Sequence, residues 1–221
     1  QPFPGPGLGV RILCTDDGKT ADVEKSGLLA DFMAGQDVPF AAALAPIQSV
    51  GVQGDHRSYR SLVILSGAGL TPDFDTLYKT AKTIPNELNF VNRVAYLLNR
   101  REVGGTLHSV RSRICREEAD LLREADAIVT GEIMRPMADG KCHIAQCFAV
   151  LLPVGVGDKF SIAVRAVVTN DFMTAQSAVP GVDFPEDALA NIVRRIEAAE
   201  LPVDMILYDV TGKPPATVEW E

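Results

Sequence analysis

The chain has 221 residues with a formal net charge of −8, and 47% of the residues are hydrophobic. This composition excludes a disordered chain, and the acidic balance excludes the basic surface that nucleic acids and anionic membranes require. The sequence shows no signal peptide and no apolar run of transmembrane length, and its four scattered cysteines do not form a disulfide framework. We therefore expect a cytoplasmic protein with reduced thiols, in which a few local cations hold any anionic ligand.

The first residues combine a linker with two short elements. Prolines and glycines over residues 2–9 exclude regular structure, because proline lacks an amide donor. The chain starts at Gln1, directly on this linker, which predicts that it was cut from something larger. A short strand is predicted over residues 10–14 and a helix over residues 20–35.

The elements that follow occur twice, each time as an apolar run, a Gly-Asp turn, a β-rich run, a helix and a strand. In the first series the four elements are predicted over residues 40–52, 59–65, 72–84 and 91–98. In the second they are predicted over residues 147–156, 160–168, 185–199 and 203–210. A helix precedes each series, and the one before the second series spans residues 116–128 with apolar side chains at helical spacing.

This repeated α-β-β-α-β order predicts the fold class. It indicates an α+β protein of two two-layer units, with helices on one face of the sheet, related by internal duplication about a pseudo-two-fold axis. The predicted organisation is a linker and short strand over residues 1–19, a first unit over 20–105 and a second unit over 106–221.

Several stretches are specific enough to carry a family resemblance. They are PFPGPGLGVR at 2–11, SVGVQGDHRSY at 49–59, QCFAVLLP at 146–153, NDFMT at 170–174 and YDVTGKPPATVEWE at 208–221. Together they resemble the C-terminal domain of GMP synthetase, and the resemblance covers nearly the whole chain. In the shorter form of that family the domain holds one copy of the repeat and dimerises, so that each partner completes the other's XMP site.

The sequence is similar to the longer form, in which an inserted copy lets one chain imitate the dimer. The first series keeps Arg57 beside its turn but lacks a Lys-Pro-Pro motif. The second series ends on Lys213 and two prolines, but its turn at 157–159 lacks the arginine. Each copy has kept half of a site, which implies a monomer with an internal pseudo-dimer.

The resemblance places the XMP contacts on Asp55, Arg57, Gln146, Lys213 and Glu219. The residue types suit that ligand. Lys213, whose backbone the following prolines should hold extended, and Arg57 can bind phosphate oxygens. Gln146 can pair with a base edge, and Glu219 can accept from a base N–H or a ribose hydroxyl. Without the resemblance, the same residues also fit a solvated loop, a surface ion pair, a strand boundary and a solvated strand end.

No catalytic or metal site is predicted. Asp55 and His56 lack a suitably placed nucleophile, so they are not a catalytic dyad. Cys142, His143 and Cys147 lack a second pair at structural-zinc spacing, which favours free thiols.

The resemblance implies an XMP-binding and pseudo-dimerisation module of an enzyme that aminates XMP to GMP with ATP and glutamine. The chain shows neither a glutaminase nucleophile nor a pyrophosphate loop, so we expect it to be inactive alone, with ATP and magnesium bound by a neighbouring domain. The expected partners are XMP and the N-terminal glutaminase and ATP-pyrophosphatase domains, without nucleic acid or membrane. Two alternatives stay open: a purely structural module with a vestigial site, and a stand-alone nucleotide sensor.

Overall fold

The computed structural model describes residues 6–16, 18–53, 56–137, 140, 142–171 and 173–221, with the backbone alone at Gln53. These residues form four α-helices: α1 Val23–Ala34, α2 Phe74–Glu87, α3 Arg116–Ile133 and α4 Ala188–Ala198. The same residues form nine strands: β1 Ala41–Gln53, β2 His56–Ser66, β3 Val91–Leu97, β4 His108–Ser109, β5 Gln146–Leu152, β6 Val154–Gly155, β7 Phe160–Val168, β8 Gln176–Ser177 and β9 Val203–Asp209. The predicted α+β class is confirmed.

Seven of the strands make one mixed sheet in the order β1-β2-β3-β9-β7-β5, with β8 paired to β7, while β4 and β6 pair separately. From β1 to β5 the neighbours are antiparallel, parallel, antiparallel, parallel and antiparallel. The pairing pattern therefore reads the same from either edge. The two predicted units meet at the central β3/β9 pair and share this continuous sheet.

Each half of the sheet has the same local order. An antiparallel pair leads into a helix, and the helix leads into a strand parallel to the second strand of the pair. Parallel neighbours need a crossover connection, which α2 supplies in the first half and α4 in the second. The start of α2 is fixed by Asp73, whose carboxylate accepts a hydrogen bond from the amide of Thr76 at 3.3 Å.

All four helices pack on one face of the sheet, as predicted. Each contributes buried apolar residues to a single core cluster, including Leu29 of α1, Ala81 of α2, Leu122 of α3 and Ile192 of α4. Among the described residues, no helix combines the length and the apolar character needed to cross a lipid bilayer.

The opposite face of the sheet is covered by chain without regular structure and by the short strand β6, which contributes Val154. The C-terminal segment, defined here as residues 210–221, places Val218 and Trp220 in a second apolar cluster with side chains from the strands. Trp220 is fully buried there. This segment carries two of the predicted site residues, so its packing decides where they lie.

The strand predicted over residues 10–14 is wrong. Leu8–Arg11 form a short 3-10 helix, and only an isolated bridge at Ile12 follows. Arg11, at the end of the short helix, forms an ion pair with Asp126 of α3 at 2.7 Å. The chain then touches the edge of the sheet at one point, where the amide of Leu13 donates to the carbonyl of Leu151 in β5 at 3.1 Å, which is too short a pairing to form a strand.

Candidate functional site

The topology brings the predicted site residues to one end of the sheet. Here β1 ends and β2 begins, which places Arg57 at this end. Here also β9 ends and leads into the C-terminal segment, and β5 begins with Gln146. Asp55, the remaining predicted contact in the β1–β2 turn, lies outside the described residues.

One strand, β1, separates Arg57 from the C-terminal segment. Its side chain is exposed, and its backbone is opposite Val52 in the β1/β2 pair. The amide of Val52 donates to the carbonyl of Pro215 at 2.8 Å. Two strand spacings, about 10 Å, therefore separate the backbone of Arg57 from the segment that carries Lys213.

A close approach at Gly51 makes this contact possible. Gly51 forms a backbone bridge with Ala216 of the C-terminal segment. A Cβ at this position would lie 2.6 Å from Nδ2 of Asn92 and 2.7 Å from the carbonyl oxygen of Pro215. Asn92 is itself held by a 2.7 Å hydrogen bond to the carbonyl of Ser49. Only glycine leaves room for the segment to lie against β1.

Lys213 is half-buried and fixed through its backbone. It exchanges two hydrogen bonds with Ala175, at 2.7 and 3.1 Å. Lys213 itself pairs with Ala175 as an antiparallel bridge, as an extended backbone does, but the chain turns directly after it, because the amide of Ala216 donates to the carbonyl of Gly212 at 3.2 Å. Both peptide bonds to the prolines within that turn are cis.

Gln146 is 6% exposed, and its side-chain oxygen Oε1 has no hydrogen-bond partner among the described residues. An unpaired buried amide oxygen costs about 1–3 kcal/mol, so it suits a donor that a ligand brings. Gln146 pairs with Val167 of β7, and Val167 pairs with Ser177 of β8. Ala175, just before β8, is the residue that bonds Lys213, so short backbone links connect Gln146 with the lysine.

Glu219 is half-buried, and its backbone is fixed more firmly than its position near the chain end suggests. Its carbonyl accepts hydrogen bonds from Nη2 of Arg93 at 2.8 Å and from the hydroxyl of Thr217 at 2.5 Å. The next residue, Trp220, is held through its carbonyl by the amide of Val50 at 3.0 Å.

A group of buried charges under the C-terminal segment is absent from the predicted site. Arg93 of β3, Asp209 of β9 and Arg165 of β7 have fully buried side chains, and both arginines contact Asp209, at 2.7 and 3.3 Å. Burial lowers the pKa of Arg93 to about 10, against the opposing effect of Asp209. The detectable signal was an arginine inside each of two mainly apolar strands.

Comparison with known proteins identifies the family. Residues 135–220 match the family described as GMP synthase C terminal domain. A probable GMP synthase (glutamine-hydrolyzing) of Caenorhabditis elegans is 30% identical over the whole chain, and the aligned part is 38% of that protein. A probable GMP synthase of Leptospira interrogans is 34% identical over the whole chain, which is 35% of that protein. The chain belongs to the GMP synthase C-terminal domain family.

The share of the chain that aligns differs from one relative to another. The GMP synthase of Methylobacillus flagellatus is 44% identical but matches only 51% of the chain. The family match includes Gln146, Lys213 and Glu219, whereas Arg57 lies outside it, in a part that the whole-chain alignments cover. The chain spans about a third of the length of the relatives that match all of it, at 38% and 35% of those proteins.

Proposed function

We propose that the chain is the XMP-binding module of a GMP synthase that aminates XMP to GMP with ATP and glutamine. The observation that carries the proposal is the hydrogen bond between Val52, the strand partner of Arg57, and Pro215 of the C-terminal segment. It places the backbone of Arg57 about 10 Å from the segment that holds Lys213 and Glu219, although these residues are far apart in sequence. The family match of residues 135–220 supports the same function.

Each residue has a chemical role in this proposal. Arg57 offers a planar fork of donors and Lys213 a compact charge, and together they suit the terminal oxygens of a phosphate monoester. The unpaired Oε1 of Gln146 accepts from a base N–H, and the carboxylate of Glu219 accepts from a base N–H or a ribose hydroxyl. The module thereby holds XMP so that its xanthine ring meets ATP in a neighbouring domain, where ATP and magnesium bind.

We also infer that the two halves of the sheet arose by internal duplication. The strand pairing reads the same from both edges, and corresponding residues make corresponding bonds. The amide of Val210 donates to the carbonyl of Val94 at 3.1 Å, and the amide of Leu98 donates to the carbonyl of Ile206 at 2.8 Å. The existence of relatives that match only about half of the chain fits an added copy.

On this proposal the first half replaces the second subunit of a dimer, so the chain is a monomer in the cytoplasm. Its partners are XMP and the glutaminase and ATP-pyrophosphatase domains of the synthase. Sedimentation velocity over a range of concentrations tests the monomer. A tight dimer formed through the face between the halves contradicts it.

Calorimetric titration of the chain with XMP tests the site. We expect binding in the micromolar to low-millimolar range, weakened about tenfold or more by Arg57→Ala and by Lys213→Ala, since each removes a charged phosphate contact. Lys159→Ala is the matched control, because Lys159 lies in the corresponding turn of the second half, at the opposite end of the sheet. Absence of binding by the unmodified chain, or equal losses in all three variants, favours the structural module with a vestigial site.

A further inference from the structure

The buried charges under the C-terminal segment occupy three neighbouring strands. Arg93, Asp209 and Arg165 lie on β3, β9 and β7 and point to the face that the segment covers. Their side chains are completely inaccessible, with 0% exposure. A charge removed from water in this way must be fully hydrogen-bonded, so the partners of each group show what the cluster holds.

Arg93 joins the segment to the edge of the sheet. Its Nη2 lies 3.2 Å from the carbonyl of Thr217, 2.8 Å from that of Glu219 and 3.2 Å from that of Val50 in β1. Its guanidinium also stacks on the ring of Trp220, 4.4 Å from the centroid. One side chain therefore fixes both the position of the segment and the backbone at Glu219.

Arg165 holds the same segment at two points. Its Nη1 donates to the carbonyl of Thr211 at 2.6 Å, and its Nη2 donates to that of Thr217 at 3.2 Å. These two residues flank the turn that carries Lys213. Because one guanidinium binds both carbonyls, it fixes the distance between the two ends of that turn.

The charge balance makes this arrangement more than ordinary packing. Two guanidinium groups share one carboxylate, that of Asp209. The remaining acceptors are carbonyls of the segment, together with the hydroxyl of Ser49 and the carbonyl of Val50 in β1. If the segment moved away, both arginines would lose the acceptors that its carbonyls supply. Lysine cannot replace either arginine, because an ammonium lacks the planar fork that spans several carbonyls.

The opposite end of the sheet lacks this imbalance. There Arg100 is paired with a single acid, Asp204, with Nη1 2.7 Å from Oδ1 and Nη2 3.2 Å from Oδ2. Both side chains keep some contact with solvent, with 31% and 16% exposure. An arginine paired one-to-one with an aspartate thus exists in the same sheet, away from the candidate site.

We infer that Arg93 and Arg165 are positioning residues for nucleotide binding: they fix the C-terminal segment in the one shape that presents Lys213 and Glu219 to the ligand. The inference rests on the proposed XMP site, because it concerns how the two contact residues of the segment are presented. The arginines themselves are buried beneath the segment and act through its backbone carbonyls.

The test compares XMP affinity and folding in matched variants of the chain. Arg165→Lys keeps the charge and removes the fork, and we expect it to weaken XMP binding at least tenfold. Thr217→Val is a milder change that removes the hydroxyl bonds to the carbonyls of Val50 and Glu219, and we expect a several-fold loss. Arg100→Lys is the control at the other end of the sheet, with an affinity within twofold of the unmodified chain.

A double-mutant cycle separates positioning from general loss of structure. Because Arg165 acts through Lys213, the combined Arg165→Lys and Lys213→Ala variant should lose much less affinity than the product of the single losses. Full multiplication of the losses, or an Arg165→Lys chain that folds and binds XMP as the unmodified chain does, overturns the inference. If Arg165→Lys does not fold, Thr217→Val decides by the same criteria.

Hydrogen exchange distinguishes failure of this inference from failure of the proposed function. In Arg165→Lys or Thr217→Val we expect faster exchange of the amides of Lys213 and Ala216, which are hydrogen-bonded in the folded chain. Arg100→Lys should leave both rates unchanged. If the unmodified chain does not bind XMP, the proposed function fails, and unchanged exchange rates in both test variants refute the positioning role independently.

Discussion

Tyr96 and Tyr208 are direct cross-strand partners at the centre of the sheet, where β3 meets β9. Both are fully buried, and each has a phenylalanine ring edge-on against it: Phe40 at 5.9 Å from Tyr96 and Phe184 at 6.1 Å from Tyr208. The two tyrosines hold corresponding positions in the repeated pattern of the sequence. Their direct pairing supports the proposed pseudo-two-fold axis, since only a residue on such an axis faces its own counterpart.

The two tyrosines should nevertheless differ in their effect on stability. The hydroxyl of Tyr208 donates to the carbonyl of Ala178, so Tyr208→Phe should lower the free energy of unfolding by about 1 kcal/mol. The hydroxyl of Tyr96 is buried and has no hydrogen-bond partner among the described residues, so Tyr96→Phe should cost less or nothing. Urea denaturation of both variants measures the difference. Equal losses contradict the assignment of these bonds.

The sequence was sufficient for the long elements because their periodicity reflects burial directly. The helix predicted over residues 116–128 is α3, and it continues to Ile133 because Val129 and Ile133 extend the buried face. The strands β4, β6 and β8 have two residues each, which is too short for any period to appear. Their pairing depends on tertiary contacts and could not be predicted locally.

The candidate site was only partly predictable for a similar reason. The residue types of Arg57 and Lys213 indicated an anion, but their proximity depends on the backbone contact between Gly51 and Ala216. The charges of Arg93 and Arg165 were missed because a charged residue in a strand is usually solvated. Here the face they occupy is closed by the C-terminal segment, which a pattern of alternating residues does not reveal.

Substitution of two glycines by alanine should have opposite effects on stability. At Gly51 the added methyl group would meet Asn92 and the carbonyl of Pro215, so Gly51→Ala should cost about 1–3 kcal/mol and weaken XMP binding at the proposed site. Gly27 lies within α1 with no atom within 4 Å of an added Cβ, so Gly27→Ala should stabilise the chain by about 0.5–1 kcal/mol. Urea denaturation measures both, and a neutral Gly51→Ala contradicts the close approach.

The ion pair of Asp204 predicts a pH dependence of stability. Burial opposes the shift, but hydrogen bonds from Arg100 and from the amide of Val156 hold the pKa of Asp204 below its ordinary value. A lowered folded-state pKa gives stability that is present above the unfolded pKa of about 3.9 and is lost as the pH falls through the folded value. The unmodified chain should therefore be more stable than Asp204→Asn near pH 6, and the difference in their free energies of unfolding should shrink towards about pH 3, as denaturation of both chains over this range measures. A constant difference across this range excludes the linkage.

Asp209 should be the acid on which the stability of the chain depends most. It contacts both Arg93 and Arg165 with no exposed surface, so Asp209→Asn leaves two buried guanidinium groups without their shared carboxylate. The expected loss is about 3–5 kcal/mol in the free energy of unfolding, because breaking a buried pair leaves uncompensated charge in a medium of low polarity. Lys25→Ala is the control: its ammonium lies 4.0 Å from Asp22 on the surface, and such pairs contribute about 0.2–1 kcal/mol. Urea denaturation compares the two, and a loss at Asp209 no larger than that at Lys25 shows that the arginines are satisfied without the carboxylate, by the segment carbonyls and the acceptors in β1.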